Sequence, residues 1–172
     1  NGKTSTTYMV EAILNRAQVK CGVLGTINHH FLDRVWESQL TTPDPLTLQR
    51  RLKEFLALGA GAVAFEISSH ALSQHRADSL DLDVGIFTNF TRDHLDYHQT
   101  MEEYFSAKER LFTEVLPRSR KSTTAILNAD DPWVKKTQVN ERVATWWFGQ
   151  SECDFKFRVL KKDLNGTLFH LR

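Results

Sequence analysis

The chain opens on Asn1-Gly2-Lys3-Thr4, where a glycine, a lysine and a hydroxyl stand in a row. A loop that cradles phosphate needs these types: glycine lets backbone N–H groups approach the oxygens, lysine reaches the outer phosphates, and a hydroxyl serves magnesium. The tetrapeptide alone is a weak signal, and a frayed terminus is the competing reading. The helical pattern that follows at once, TSTTYMVEAIL, favours the loop, because a helix N-terminus directly behind it favours negative charge. On this reading the chain begins inside its own nucleotide site.

Three further features could do chemistry. Glu66 closes the apolar run AVAF, and in open parallel sheets ligands gather at the carboxyl ends of strands. Magnesium seeks such an oxygen beside phosphates, although Glu66 could equally mark only where a strand surfaces. FTNFTRDHLDYH, residues 87–98, gathers Asn89, Asp93, His94, Asp96 and His98 into a polar loop at a strand end, with Asp96 and His98 reading as solvated surface. Fourteen residues past His94, Lys108 lies in EEYFSAKERLF, where steps of three and four reach Tyr104, Phe105, Leu111 and Phe112. A helix would therefore turn this cation toward its apolar stripe. One explanation is a methylene stem lying on apolar surface with its ammonium in water. The other is a reactive neutral amine, since burial on an apolar face lowers a lysine's pKa.

Positioning these residues requires a scaffold of alternating elements. TTYMVEAILNRA, PLTLQRRLKEFLAL and the stretch around Lys108 have helical spacing, and the second is stopped by Gly59 and Gly61. VKCGVLG, AVAFEI, DVGIFTN, TAILNADD and VATWWFG read as strands, with AVAFEI expected to be buried. The fold class is therefore α/β, a mostly parallel sheet flanked by helices. The last twenty residues change to period-two stretches around Asn165 and Gly166, which predicts a small antiparallel appendix with a tight hairpin turn. No repeat or linker marks a second domain.

Composition narrows the classes. The chain has 172 residues, 22 basic and 21 acidic, for a net charge of +1, which gives nucleic-acid binding no support. No apolar stretch has bilayer length and the N-terminus has no signal-peptide layout, so the expectation is a cytoplasmic protein without membrane contact. Cys21 and Cys153 stand far apart outside any CxxC pattern, and both read as reduced packing residues.

NGKTSTT, EISSHALSQHR, FTNFTRDHLDYHQTMEEYFSAKERLF and LNADD, in this order and spacing, resemble the ATP-dependent Mur ligases of peptidoglycan synthesis, and among them the members that form the tripeptide. The resemblance is dense over residues 1–131. It implies that residues 1–172 are a phosphate-loop central ATP-binding domain, truncated at both ends, whose partner domains hold the UDP end and the incoming amino acid. Such a fragment is expected to be inactive by itself. By the family pattern, Asn1, Gly2, Lys3 and Thr4 would hold ATP, while Thr4, Glu66, His94 and Lys108 would hold magnesium, Lys108 as a carbamate. Lys3, His94 and Lys108 would serve catalysis. Thr41, Thr42, Ser68, Gln74 and Arg76 would contact UDP-N-acetylmuramoyl-L-alanyl-D-glutamate, to which a monomeric enzyme would join diaminopimelate or lysine through an acyl phosphate. Leu40 departs from the pattern, since many relatives carry asparagine before the two threonines. A folylpolyglutamate synthetase-like ligase and a nucleotide-binding module without ligase activity stay open as alternatives.

Overall fold

A computed structural model describes residues 1–93, 96–164 and 166–172; His94, Leu95 and Asn165 lie outside the described residues. Contacts group the chain into two compact units, Gly2–Ser79 and a second made of Asn1 with Leu80–Arg172, where the sequence marks no internal boundary.

In the unit Gly2–Ser79, helix α1 (Lys3–Arg16) starts after Gly2, whose φ of 77° is in the left-handed region that glycine adopts without steric cost. Strand β1 (Cys21–Leu24) follows, then β2 (Asn28–Phe31) and β3 (Arg34–Glu37), which form an antiparallel hairpin. Helix α2 (Pro45–Ala57) carries the signals that define a helix start: proline at its first position and an Asp44 side chain accepting from the N–H groups of Leu46 and Thr47, both at 3.0 Å. It buries Leu48, Arg51 and Phe55. Strand β4 (Ala62–Phe65) lies parallel to β1 in the order β3-β2-β1-β4, and the short helix α3 (Ser69–Ser73) comes next. β4 is half-buried along its length rather than buried, as befits a strand at the end of that order.

The second unit is built on β5 (Val84–Phe87), β6 (Thr124–Asn128), β7 (Ala144–Gly149), β8 (Phe155–Asp163) and β9 (Gly166–Leu171), in that order. The first three pairings are parallel and β8–β9 is antiparallel, so the expected appendix is present. Asn165, on which the predicted hairpin turn falls, lies outside the described residues. Helix α4 (Met101–Arg110) is capped by the Thr100 hydroxyl, which accepts from the N–H of Glu103 at 3.1 Å. The chain then widens into one π-helical turn (Leu111–Val115) and closes as the α5 turn (Leu116–Arg118). Pro117 accounts for the widening: it offers no N–H, and in a regular helix its ring would crowd the carbonyl of Thr113. Phe87, Phe90, Phe105 and Phe112 are buried together against Trp133. No helix among the described residues is long and apolar enough to cross a membrane.

Candidate active site

The start of α1 is an uncapped helix end. Gly2 supplies no side-chain acceptor, no acidic residue occupies the first turn, and Lys3 is the first helical residue. Free N–H groups, the positive end of the helix dipole and a lysine are thus gathered at one point. One residue on, the Thr4 hydroxyl donates to Oε1 of Glu66 at 2.9 Å. Glu66 is 2% exposed at the carboxyl end of β4, so it is a buried carboxylate rather than the mark of a surfacing strand. Thr26 holds it from the end of β1, donating its N–H to Oε1 at 2.9 Å and its hydroxyl to Oε2 at 3.3 Å.

Gly25 completes this pocket, because a Cβ there would come within 2.3 Å of Glu66 Oε1. Sequence reasoning missed Gly25 and Thr26. The available signal was Gly-Thr at the carboxyl end of a predicted strand, where ligand-bearing loops gather.

The five residues assigned to the peptide substrate divide by accessibility. Thr41 is half-buried and its hydroxyl meets that of Thr26 at 3.1 Å, which links it to the Glu66 carboxylate. Thr42 is fully buried: its hydroxyl donates to the Glu66 carbonyl at 2.7 Å and accepts from the Ser68 N–H at 3.0 Å. With these two bonds Thr42 braces the β4 end from inside the protein. Ser68 caps α3 through the Ala71 N–H at 3.1 Å. Arg76 donates Nη1 to the Thr42 carbonyl at 2.7 Å, and both Nε and Nη2 to Gln74 Oε1 at 3.0 and 2.5 Å. Gln74 and Arg76 therefore act as a pair. Leu40 is exposed and supplies no amide.

Asn1 and Lys108 belong to the other unit. The Asn1 carbonyl accepts from the Thr88 hydroxyl at 2.8 Å and from Asn89 Nδ2 at 3.0 Å, which pins it to the strand end of β5. Lys108 is half-buried on α4 beside Tyr104 and Phe105, both buried, with its Nζ 4.8 Å from the centroid of the Tyr104 ring. The predicted apolar face is thus real, and the lysine rests on it. Burial, and secondarily the Asp93 charge, push the Tyr104 hydroxyl up to about 12, so it stays a neutral phenol at any working pH. His94 lies outside the described residues. His98, expected at the surface, is instead buried, with its ring 5.2 Å from that of Tyr104 and 4.8 Å from that of Tyr97. Its imidazole is drawn in by flat aromatic partners that a polar neighbourhood in sequence does not advertise.

Uncapped helix start, lysine, hydroxyl and buried carboxylate at strand ends are the arrangement of a phosphate-handling α/β protein. The sequence profile of the Mur ligase middle domain matches residues 1–172, and the chain belongs to that family. It is 50% identical over 135 residues to a UDP-N-acetylmuramoyl-L-alanyl-D-glutamate--2,6-diaminopimelate ligase of Geobacter metallireducens, covering 77% of this chain and 26% of that one. To the ligase of the same name from Bacillus licheniformis it is 39% identical over 174 residues, 99% of this chain and 36% of the relative. A solved structure of a ligase with that name superposes with a TM-score of 0.86 at 29% identity, over 99% of this chain and 35% of the other. The chain thus spans between a quarter and two-fifths of the length of these curated relatives.

Proposed function

We propose that these residues are the central, ATP-binding portion of a ligase that joins diaminopimelate to UDP-N-acetylmuramoyl-L-alanyl-D-glutamate. The observation that carries the reading is the Thr4–Glu66 pair at the open start of α1. The names of the relatives favour diaminopimelate over lysine as the incoming amine.

Magnesium fits the site. The Thr4–Glu66 pair sets a hydroxyl and a carboxylate oxygen side by side, the hard oxygen ligands that magnesium takes. Among the described residues no three His, Cys, Asp or Glu side chains converge. An ion at this pair would complete its shell with phosphate and water. When bound it would supply positive charge at the phosphate oxygens.

In the reaction, an oxygen of the free D-glutamate side-chain carboxylate attacks the terminal phosphorus of ATP and ADP departs, leaving an acyl phosphate. The amine of the incoming amino acid then attacks the acyl carbon, loses a proton, and releases phosphate as the amide forms. Lys3 and the N–H groups at the start of α1 hold the phosphates, and their fixed positive charge opposes the negative charge spread over the transferring group. Asn1 sets the entry to that loop. Thr41, Thr42, Ser68 and the Gln74–Arg76 pair would receive the muramoyl-dipeptide. Lys108, once its neutral amine has added carbon dioxide and lost a proton, would be an anion able to hold a second magnesium together with His94.

The test is an assay of the full-length protein with ATP, UDP-N-acetylmuramoyl-L-alanyl-D-glutamate and either diaminopimelate or lysine, following ADP and tripeptide. Tripeptide with diaminopimelate is expected. ADP release without an amide product would sink the ligase reading and leave a nucleotide-binding module.

A further inference from the structure

The run Leu127-Asn128-Ala129-Asp130-Asp131 at the end of β6 carries three polar side chains for which the proposed chemistry has no use. Two of them reach the same place. Nδ2 of Asn128 donates to the Thr88 carbonyl at 2.7 Å, and Oδ2 of Asp131 accepts from the Phe90 N–H at 2.6 Å. Each keeps its Oδ1 for its own turn. Oδ1 of Asn128 accepts from the Asp130 N–H at 2.8 Å, while Oδ1 of Asp131 accepts from the N–H groups of Trp133 and Val134 at 2.9 and 3.1 Å. Asp130 faces elsewhere, accepting from the N–H groups of Gln150 and Ser151 at 2.7 and 3.1 Å and the Ser151 hydroxyl at 2.9 Å.

The segment gripped in this way, residues 88–90, is the one that meets the Asn1 carbonyl. Its last member is buried: the Phe90 ring lies 4.8 Å from that of Tyr104 and 5.1 Å from that of Trp133. Tyr104 in turn carries the Lys108 ammonium, 4.8 Å from its ring centroid. A continuous path of contacts therefore runs from the Asp131 carboxylate through Phe90 and Tyr104 to Lys108. A charged acceptor on a backbone N–H is a strong and directional hold, and it fixes a main-chain atom whose position no rotamer change can restore.

We propose that Asn128 and Asp131 are positioning residues. They fix the backbone at 88–90 and, through the Phe90 ring, the face of Tyr104 on which Lys108 rests. For its effect on turnover this rests on the ligase reading above.

Asp131→Asn tests it with a one-atom change. Its Oδ1 still caps the Trp133 turn, whereas its Nδ2 sets a donor against the Phe90 donor. Asn128→Asp attacks the same segment from the other side, setting an acceptor against the Thr88 carbonyl, so a folding failure of one variant leaves the other to decide. Hydrogen exchange of the Phe90 amide and steady-state kinetics are measured on the full-length protein.

Both variants are expected to speed Phe90 exchange about tenfold or more, and to lower kcat about 10- to 100-fold with much smaller changes in KM. Asp130→Asn is expected to leave Phe90 exchange unchanged. Wild-type exchange in both clamp variants overturns the proposal, as does faster exchange with kcat intact. A wild-type protein that makes no amide overturns the ligase reading alone, and the Phe90 exchange rates then decide the clamp.

Discussion

A Cβ added at Gly25 would stand 2.3 Å from Oε1 of Glu66, so the buried carboxylate occupies space that only glycine leaves open. Gly25→Ala must therefore push the carboxylate aside or strain the β1 end. We expect a loss of about 1–3 kcal/mol of stability, as for other overpacked sites, and a higher magnesium concentration for half-maximal ligase activity. Thermal unfolding and a magnesium titration check the two effects separately. An unchanged titration would mean that Glu66 does not serve the cation.

The guanidinium of Arg76 is shared between the Thr42 carbonyl and Gln74. Arg76→Lys keeps the charge but loses the fork that can hold both partners and still present an N–H to a carboxylate. In the full-length enzyme KM for the muramoyl-dipeptide should rise about tenfold, roughly one lost charged hydrogen bond, with KM for ATP moving much less. Equal rises in both constants would assign Arg76 to folding.

Lys108→Ala separates the two roles a lysine on Tyr104 can play. If the side chain works as a carbamate, activity is nearly abolished and acetate restores part of it by occupying the vacated space. If it works as the cation seen over the ring, small amines restore activity and carboxylates do not. Kinetics with each additive, in buffer depleted of carbon dioxide, tell these outcomes apart.

His29 is 3% exposed, and neither ring nitrogen has a hydrogen-bond partner among the described residues. Burial, and then the Arg51 charge, lower its pKa below the usual imidazole value. The unfolded chain therefore takes up a proton near pH 6.5 that the folded chain refuses, so this contribution is present above that pH and is lost as the pH falls below it. Denaturant unfolding at pH 7.5 and 5.5 should show wild type losing more stability on acidification than His29→Leu. Equal losses would remove His29 as the cause.

Much of this architecture is legible because its signals are local. Asp44, Pro45 and Gly59 bracket α2 within a single stretch of sequence, and the stripe Tyr104, Phe105, Leu111 and Phe112 announces both α4 and the odd placement of Lys108. The hairpin of β2 and β3 escaped notice because its turn, Leu32-Asp33, has no glycine, and Leu32 adopts a φ of 53° that an aliphatic side chain seldom takes.

The neighbours of Glu66 were hidden for another reason. Thr26 is 40 positions away and Thr4 is 62, so only folding brings them to one carboxylate. The bonds of Thr42 were hidden in the same way. A threonine beside another looks like a pair of ligand hydroxyls, and only the fold shows that one of them also donates to the Glu66 carbonyl.

The π-helical turn between Lys108 and Pro117 holds one residue more than a regular turn needs. It is consequently the place in this helix where chain length can change at least cost. Removing one residue within Leu111–Val115 would rewind the turn to ordinary α geometry while Lys108 upstream kept its facing toward Tyr104. Homologues that lack a proline at this position would be the ones to have dropped the extra residue, so a one-residue gap in the alignment should travel with the loss of Pro117.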